Sequence, residues 1–150
     1  MFSKTSEYAL RATFYIAQKG TIENKLPINQ IAEAIGSPQP FTAKILQALA
    51  RNNSIISSSR GPNGGFYMTP KAKKLPVTAV LDAMNETQTL TKCVLGLPQC
   101  GSDNPCPMHS KYLNIKAQLL EMFDSTTIED AAIHLESTPY HLKDKEKNDL

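Results

Sequence analysis

The sequence predicts a mainly α-helical fold with a small β-wing, namely a winged helix-turn-helix domain followed by a long dimerisation helix. Three features of the 150-residue chain lead to this prediction. Two amphipathic segments meet at a glycine between residues 28 and 49, a glycine-rich turn occupies residues 60–65, and apolar residues recur at helical spacing over residues 108–123. The order of helix, glycine turn, helix and hairpin is more specific than any one of these parts.

The helix-turn-helix is predicted from helix start and stop signals. Apolar residues repeat at helical spacing from Ile28 to Ile35, and Gly36 can then adopt the left-handed conformation that ends a helix. Ser37 is the expected N-cap of the second helix, with Pro38 at its first position. In DNA-binding proteins with this motif, the second helix lies in the major groove.

The wing is predicted as a hairpin directly after the second helix. Ile55 and Ile56 form a short β-branched run, and residues 66–68 are the candidate second strand. The stretch between them contains Arg-Gly-Pro-Asn-Gly-Gly at residues 60–65, a sequence typical of turns. The glycines would let this backbone approach another surface closely, and Arg60 could reach a phosphate or a minor groove. An ordinary surface hairpin beside a helix pair is the alternative.

Polar side chains on the second helix and the wing are the predicted contacts to DNA bases and phosphates. Glutamine can pair with adenine in the major groove, and lysine can pair with guanine or with phosphate. The predicted DNA-binding residues are Gln39, Thr42, Lys44 and Gln47 on the helix, and Arg60, Asn63 and Gly64 on the wing.

The other segments are assigned from the same signals. We expect a helix over residues 3–19 that Gly20 ends, a helix that Pro76 starts, and a short last helix after a capping box that begins at Thr126. The predicted organisation is a winged helix-turn-helix domain at 1–86, a cysteine-bearing loop at 87–107, the dimerisation helix with the short C-terminal helix at 108–136, and a flexible tail at 137–150.

Composition and charge narrow the class of protein. Residues 1–75 hold ten Lys and Arg against three Glu, a net charge of +7, whereas residues 76–150 have a net charge of −5. A basic half that contains a helix-turn-helix favours double-stranded DNA as a partner. We find no apolar run long enough to span a membrane and no signal peptide at the start, so we expect a cytoplasmic protein with no membrane role.

The segment from Met108 to Phe123 is predicted as a long helix. Four of its apolar residues follow the alternating three- and four-residue spacing of a two-helix contact, and other apolar residues widen this surface. Burying so wide a surface favours pairing with the same helix of a second subunit, with a monomeric bundle as the alternative. The predicted dimer contacts are Tyr112, Ile115, Leu119 and Met122.

The three cysteines lie within fourteen residues of a Pro- and Gly-rich loop and are candidate metal ligands. They are Cys93, Cys100 and Cys106, and His109 follows. Three thiols cannot all pair in one chain, and we expect a compartment that disfavours structural disulfides. The set would suit an iron–sulfur cluster of the [2Fe-2S] or [4Fe-4S] type, a zinc ion, or thiols that act without a metal.

Four stretches of the chain together resemble the Rrf-two family of winged helix-turn-helix transcription regulators. They are residues 6–12 (SEYALRA), 31–35 (IAEAI), 40–46 (PFTAKIL) and 60–66 (RGPNGGF), and the resemblance extends from about residue 1 to about 133. It implies a homodimeric regulator that binds a palindromic DNA operator.

The cysteines resemble those of the iron–sulfur branch of the family, which contains the IscR- and NsrR-like regulators. This resemblance implies that the chain senses redox state, nitric oxide or iron–sulfur status. His109 matches the position of a histidine ligand in IscR, and Glu7 matches that of an acidic ligand that NsrR-type proteins supply from the partner. The fourth ligand is therefore His109 or, alternatively, Glu7 of the partner subunit. The spacer between the first two cysteines is one residue longer than in IscR.

The sequence also bears on two other classes of protein. The sequence has no Walker-type phosphate-binding loop, and no orienting residue accompanies its cysteines and histidine in a recognisable motif, so we expect no enzyme activity. A winged-helix regulator or protein-interaction module with a zinc-stabilised or metal-free thiol loop is the remaining alternative.

Overall fold

The computed structural model describes residues 1–137 and 141–144 of the chain. Within these residues no helix combines the length and the apolar character needed to cross a bilayer. The two strands are β1 (Ser57–Ser59) and β2 (Gly65–Tyr67). The helices are α1 (Lys4–Lys19), α2 (Ile28–Ile35), α3 (Gln39–Leu49), α4 (Pro70–Lys73), α5 (Thr78–Ala83), α6 (His109–Ser125) and α7 (Ile128–Glu136).

Helix α1 runs through the centre of the winged domain. It begins after Ser3, whose hydroxyl accepts a hydrogen bond from the amide of Ser6, and it ends at Gly20 as predicted. Its buried face is lined by small residues that include Ala9 and Ala12, which allow α2, α3 and α7 to pack closely around it. The other fully buried side chains around α1 include Ile16, Ile31, Ile35, Ile45, Leu46, Leu49, Ile56 and Ile128.

The helix-turn-helix forms as predicted, with one correction at the start of its second helix. Gly36 ends α2 in the left-handed conformation with φ of +67°. The prediction of Ser37 as the N-cap of α3 was wrong, because Pro38 occupies that position and α3 begins at Gln39. The Pro38 carbonyl accepts the amide of Thr42 at 2.9 Å, while the buried Ser37 directs its hydroxyl to the same carbonyl at 3.4 Å.

The wing is a two-stranded antiparallel hairpin in which Ser58 pairs with Phe66. The prediction of Ile55 and Ile56 as the first strand was wrong, because β1 begins one residue later. The amides of both isoleucines donate to the carbonyl of Leu49 at 3.3 Å, which holds them against the end of α3 rather than in a sheet. Their side chains are buried, so the β-branched run contributes to the core.

The C-terminal half returns to the winged domain through α7. Two backbone hydrogen bonds connect the segment before α5 to the start of α7. The amide of Val77 donates to the Thr126 carbonyl at 2.9 Å, and the amide of Ile128 donates to the Leu75 carbonyl at 3.0 Å. The predicted capping box is present, with Thr127 and Asp130 as its reciprocal pair. Residues 138–140 and 145–150 of the predicted flexible tail lie outside the described residues.

Two boundaries in this half differ from the predicted ones. The helix that Pro76 was predicted to start begins at Thr78. The single-turn helix α4, capped by the Thr69 hydroxyl, was not predicted.

Candidate functional site

The cysteine loop brings its three thiols together. The Sγ atoms of Cys93, Cys100 and Cys106 all lie within 4.8 Å of one another, and those of Cys93 and Cys106 are 3.6 Å apart. All three cysteines are free and half-buried. Residues spread over fourteen positions of the chain therefore form one compact group of soft donor atoms.

A series of tight turns produces this convergence. The amide of Gly96 donates to the Cys93 carbonyl at 2.9 Å, and Gly96 has a φ of +72° that favours glycine. Farther along, Gly101 and Asn104 pair through two backbone bonds. The amide of His109 then donates to the Cys106 carbonyl at 3.0 Å, which starts α6 directly beside the thiols.

His109 and backbone amides surround the sulfur atoms. The Nδ1 atom of His109 lies 3.3 Å from Sγ of Cys100, and the amide of Cys106 donates to the same sulfur at 3.4 Å. The other candidate fourth ligand, Glu7, lies in the first turn of α1, where its carboxylate pairs with Lys4 at 3.2 Å. Within one chain, His109 is therefore the candidate fourth ligand that contacts a cysteine sulfur.

The thiols differ in acidity because their surroundings differ. Backbone N–H groups of Leu97 and Leu95 lower the pKa of Cys93 to about 7, so that much of this thiol is thiolate at neutral pH. The amide of Cys106 lowers the pKa of Cys100, but desolvation and the neighbouring thiols outweigh it, and the pKa of Cys100 is raised overall.

The donor set fits a thiophilic metal centre. Thiolates are the ligands that iron–sulfur clusters and structural zinc share, and an imidazole can complete either set. A cavity of about 340 Å³ lies beside the sulfurs, lined by the three cysteines, His109, Tyr112 and Lys116 among others. The site therefore has both the ligands and adjacent space for a bound group.

Helix α3 presents a polar surface to solvent. Gln39, Lys44 and Gln47 are exposed there, as the sequence predicted for contacts to DNA. Thr42 is fully buried instead, and its hydroxyl donates to the Pro38 carbonyl at 3.0 Å. Thr42 therefore belongs to the core, and it leaves the set of residues that we propose to touch DNA.

The tip of the wing is exposed, and a glycine behind it fixes its shape. Arg60 and Asn63 are both exposed at this tip. A Cβ on Gly64 would lie 2.4 Å from the Ser59 carbonyl oxygen, which is too close for any side chain. Gly64 thus allows the turn to close, while Arg60 and Asn63 are the side chains available to a ligand.

A basic and aromatic cluster on α1 adjoins the start of α3. The Tyr8 ring contacts Phe41 of α3 edge-on, with 5.7 Å between ring centroids, and the Arg11 guanidinium lies 5.2 Å from the Tyr8 ring. Lys4 and Arg11 line a cavity of about 590 Å³ that also reaches Gln39. The sequence did not indicate that Lys4 and Arg11 lie near Gln39, because they are far from α3 along the chain.

The apolar surface of α6 is divided between two kinds of environment. Tyr112 and Leu119 are half-buried within their own chain. Ile115 and Met122 are about half exposed, at 51% and 53%. The remaining exposed large apolar residues of this helix are Leu113 and Leu120. A single chain therefore leaves two of the four predicted dimer residues, and two more, open to solvent.

Sequence reasoning missed two residues near the loop. Lys116 donates from Nζ to the Thr91 carbonyl at 3.0 Å. Glu86 accepts hydrogen bonds from the amide and hydroxyl of Ser3, each at 2.6 Å, and from the hydroxyl of Ser6. The sequence could have indicated Lys116, because this residue lies seven positions after His109 and therefore on the same helix face. No pattern in the sequence links Glu86 to α1.

Comparison with known proteins identifies the family. The profile of the Rrf2 (Rrf-two) family, described as iron-dependent transcriptional regulators, matches residues 2–133. A protein of Aquifex aeolicus (strain VF5), named as an HTH-type transcriptional regulator, is 30% identical over 132 residues, which cover 87% of this chain and 90% of that protein. The HTH-type transcriptional regulator IscR of Pectobacterium atrosepticum is 24% identical over 123 residues, covering 82% of this chain and 73% of the relative.

Solved structures show the same fold at lower identity. CymR, the global cysteine regulator of B. subtilis, superposes with a TM-score of 0.70 at 19% identity, covering 89% of this chain and 97% of CymR. IscR of T. potens superposes with a TM-score of 0.68 at 21% identity, covering 94% of this chain and 93% of that one. The named relatives are transcriptional regulators and not enzymes. The chain belongs to the Rrf2 family of transcriptional regulators.

Proposed function

We propose that the chain is a homodimeric DNA-binding regulator that senses redox state, nitric oxide or iron–sulfur status through a cluster held by Cys93, Cys100 and Cys106. One observation carries the proposal: three thiols lie within 4.8 Å of one another in a member of a family described as iron-dependent. His109, in contact with Cys100, is the proposed fourth ligand, and Glu7 of the partner subunit is the alternative. When bound, an iron–sulfur cluster would supply a group that responds to oxidants and to nitric oxide.

The DNA-binding part of the proposal rests on α3 and the wing. Gln39, Lys44 and Gln47 would face the major groove, and Arg60 and Asn63 would approach the backbone or the minor groove. In a symmetric dimer the two α3 helices would enter successive major grooves about 34 Å apart, which requires a palindromic operator.

The chain offers a direct physical link between the thiols and the DNA-binding domain. Helix α6 starts beside the cysteines, and near its far end Phe123 contacts Phe2, two residues before the start of α1, with ring centroids 5.4 Å apart. Glu86, seven residues before Cys93, is hydrogen-bonded to Ser3 and Ser6 at the start of α1. A change in the cysteine loop would therefore reach α1 by two routes and alter operator affinity, provided that the two dimer states bind DNA differently.

The test compares wild-type protein with a variant in which all three cysteines are replaced by alanine. We expect anaerobically purified wild type to be brown, with visible absorbance and bound iron and sulfide, and the variant to be colourless. Duplex DNA selected by the wild type from a randomised pool should bind the two proteins with affinities that differ by about tenfold. Ser102→Ala, in the same loop, is the matched control and should behave as wild type.

Two outcomes would contradict separate parts of the proposal. Equal operator binding by cluster-loaded wild type and the triple variant would remove sensing and leave DNA binding in place. Failure to bind any duplex at low salt would remove DNA binding itself.

The alternative is a zinc-stabilised or metal-free thiol loop in the same winged-helix regulator. It is supported by the same thiol group, since zinc also takes three thiolates and an imidazole. Colourless protein with stoichiometric zinc, or with no metal, would favour it.

A further inference from the structure

One face of α6 is turned towards the cysteine loop. His109, Tyr112 and Lys116 are spaced three and four residues apart, and so they lie on one side of the helix. All three are half-buried, and all three line the cavity of about 340 Å³ that the cysteines also line. The face of α6 that begins with the candidate ligand His109 therefore also carries Lys116.

Lys116 ties the beginning of the loop to the helix that follows it. Its Nζ donates to the carbonyl of Thr91 at 3.0 Å and lies 5.7 Å from the centroid of the Tyr112 ring. Thr91 precedes Cys93 by two residues, whereas α6 begins just after Cys106. The hydrogen bond therefore links the two ends of the loop, near Cys93 and Cys106, to each other.

The charge of Lys116 has no carboxylate partner within ion-pair distance among the side chains of residues 1–135, 137 and 141–144. The ionisable groups that share its cavity are the thiols, the His109 imidazole, the Tyr112 phenol and Lys92. Lys92 differs from Lys116 because it interacts electrostatically with Glu86. A positively charged residue that lines the same cavity as three thiols complements the negative charge that thiolate ligands carry.

We propose that Lys116 is a positioning residue for the thiol site: it holds Thr91 against α6 so that the cysteines stay together, and its charge raises the reduction potential of the group they bind. This inference rests on the proposed function. A positive charge near a redox centre stabilises the more negative, reduced state, and outer groups that orient metal ligands contribute to metal retention.

The experiment uses full-length protein reconstituted anaerobically with Fe²⁺ and sulfide. Lys116→Met keeps the length and helix preference of the side chain without its charge, and Lys116→Arg keeps the charge and the donors. Lys111→Met, at an exposed position of the same helix that does not line the cavity, is the matched control. Visible absorbance under a chelator reports cluster loss, a redox titration gives the midpoint potential, and far-UV circular dichroism reports folding.

We expect Lys116→Met to lose its cluster about tenfold faster than wild type and to have a more negative midpoint potential. Lys116→Arg should recover most of both properties, and Lys111→Met should match wild type. Lys116→Gln, which is uncharged but polar, should show the same negative shift in potential, so that the result does not depend on the folding of one variant.

The possible failures are distinguishable. A wild type that holds no cluster would overturn the proposed function, and this inference with it. A wild type that holds a cluster, together with Lys116→Met and Lys116→Gln proteins that retain it equally well at an unchanged potential, would overturn the inference alone.

Discussion

Glu86 acts as a clamp between two parts of the chain that are distant in sequence. Its carboxylate accepts hydrogen bonds from Ser3 and Ser6, eighty or more residues away, at the point where α1 begins. Partial desolvation raises the pKa of this carboxyl, but the hydrogen bonds from the two serines outweigh it, so the pKa lies below its usual value of 4.5. A depressed pKa means that the ionised carboxylate stabilises the folded state.

The clamp predicts a pH-dependent loss of stability in Glu86→Gln. At pH 7 the variant should unfold with a free energy lower by roughly 1 kcal/mol, a value reduced by solvent screening at this partly exposed site. The stabilisation is present above the unfolded-state pKa and is lost as pH falls through the lower folded-state pKa. The difference between variant and wild type should therefore shrink below pH 4.5.

Urea unfolding of both proteins at a series of pH values measures this effect. Glu121→Gln, which removes a carboxylate at an exposed position of α6, is the matched control. A Glu86→Gln protein with wild-type stability at pH 7 would show that the clamp contributes nothing.

The environments of some α3 residues could be predicted from the sequence, and that of Thr42 could not. The exposure of Gln39, Lys44 and Gln47 followed from the helical period, but Thr42 sits at the edge of the apolar face and is buried. A helical period alone does not decide the environment of such a border residue, because neighbouring helices determine how wide the buried face is.

At the scale of elements, the wing is a hairpin whose turn depends on glycine. Gly64→Ala would place a methyl group 2.4 Å from the Ser59 carbonyl oxygen and would force the turn open. We expect a loss of about 1–3 kcal/mol in stability, together with weaker operator binding. Thermal unfolding and fluorescence anisotropy with duplex DNA measure the two effects. Asn63→Ala, at the exposed tip beside it, should leave the melting temperature unchanged, and equal melting of both variants would contradict this account.

The helices with the strongest apolar periodicity were predictable, whereas the exact bounds of the short elements were not. The segments now seen as α1, α2, α6 and α7 all carry clear start signals, stop signals or helical spacing. The strands of the wing have three residues each, which is too short for a periodic pattern. The first strand was misplaced because the residues with the highest strand preference, Ile55 and Ile56, are used to fill the core beside Leu49.

The cysteine loop was predictable in composition but not in shape. The three cysteines and His109 stood out by their clustering in the sequence. The turns that bring them together depend on backbone bonds at Gly96, Gly101 and Asn104, which no local periodicity reveals. Lys116 and Glu86 were missed for a related reason, since each bonds to a partner at least 25 residues away.

At the scale of the whole molecule, α6 connects the thiols to the winged domain and exposes apolar surface at the same time. Ile115 and Met122 are the most exposed large apolar residues within the helix. A surface of this kind on a monomer is typical of an interface, and a second copy of the chain is the proposed occupant.

Replacing both residues by glutamate should therefore prevent dimerisation. We expect Ile115→Glu combined with Met122→Glu to be a monomer by light scattering, because two buried charges would each cost about 2 kcal/mol or more at such an interface. The affinity of this double variant for a palindromic duplex should be lower than that of the wild type. Asn114→Glu, which adds a charge at an exposed polar position of the same helix, should remain dimeric. A wild-type protein that is monomeric at micromolar concentration would remove the basis of this prediction.

The wing has a consequence for how such regulators diverge. Its closure depends on Gly64, and the tip positions occupied by Arg60, Pro62 and Asn63 are exposed, so we expect substitutions at these three positions to affect stability little. Point changes there can accumulate after gene duplication without harming the scaffold. Paralogues could in this way acquire different target sites through two or three substitutions at the tip, while the glycine behind it stays fixed.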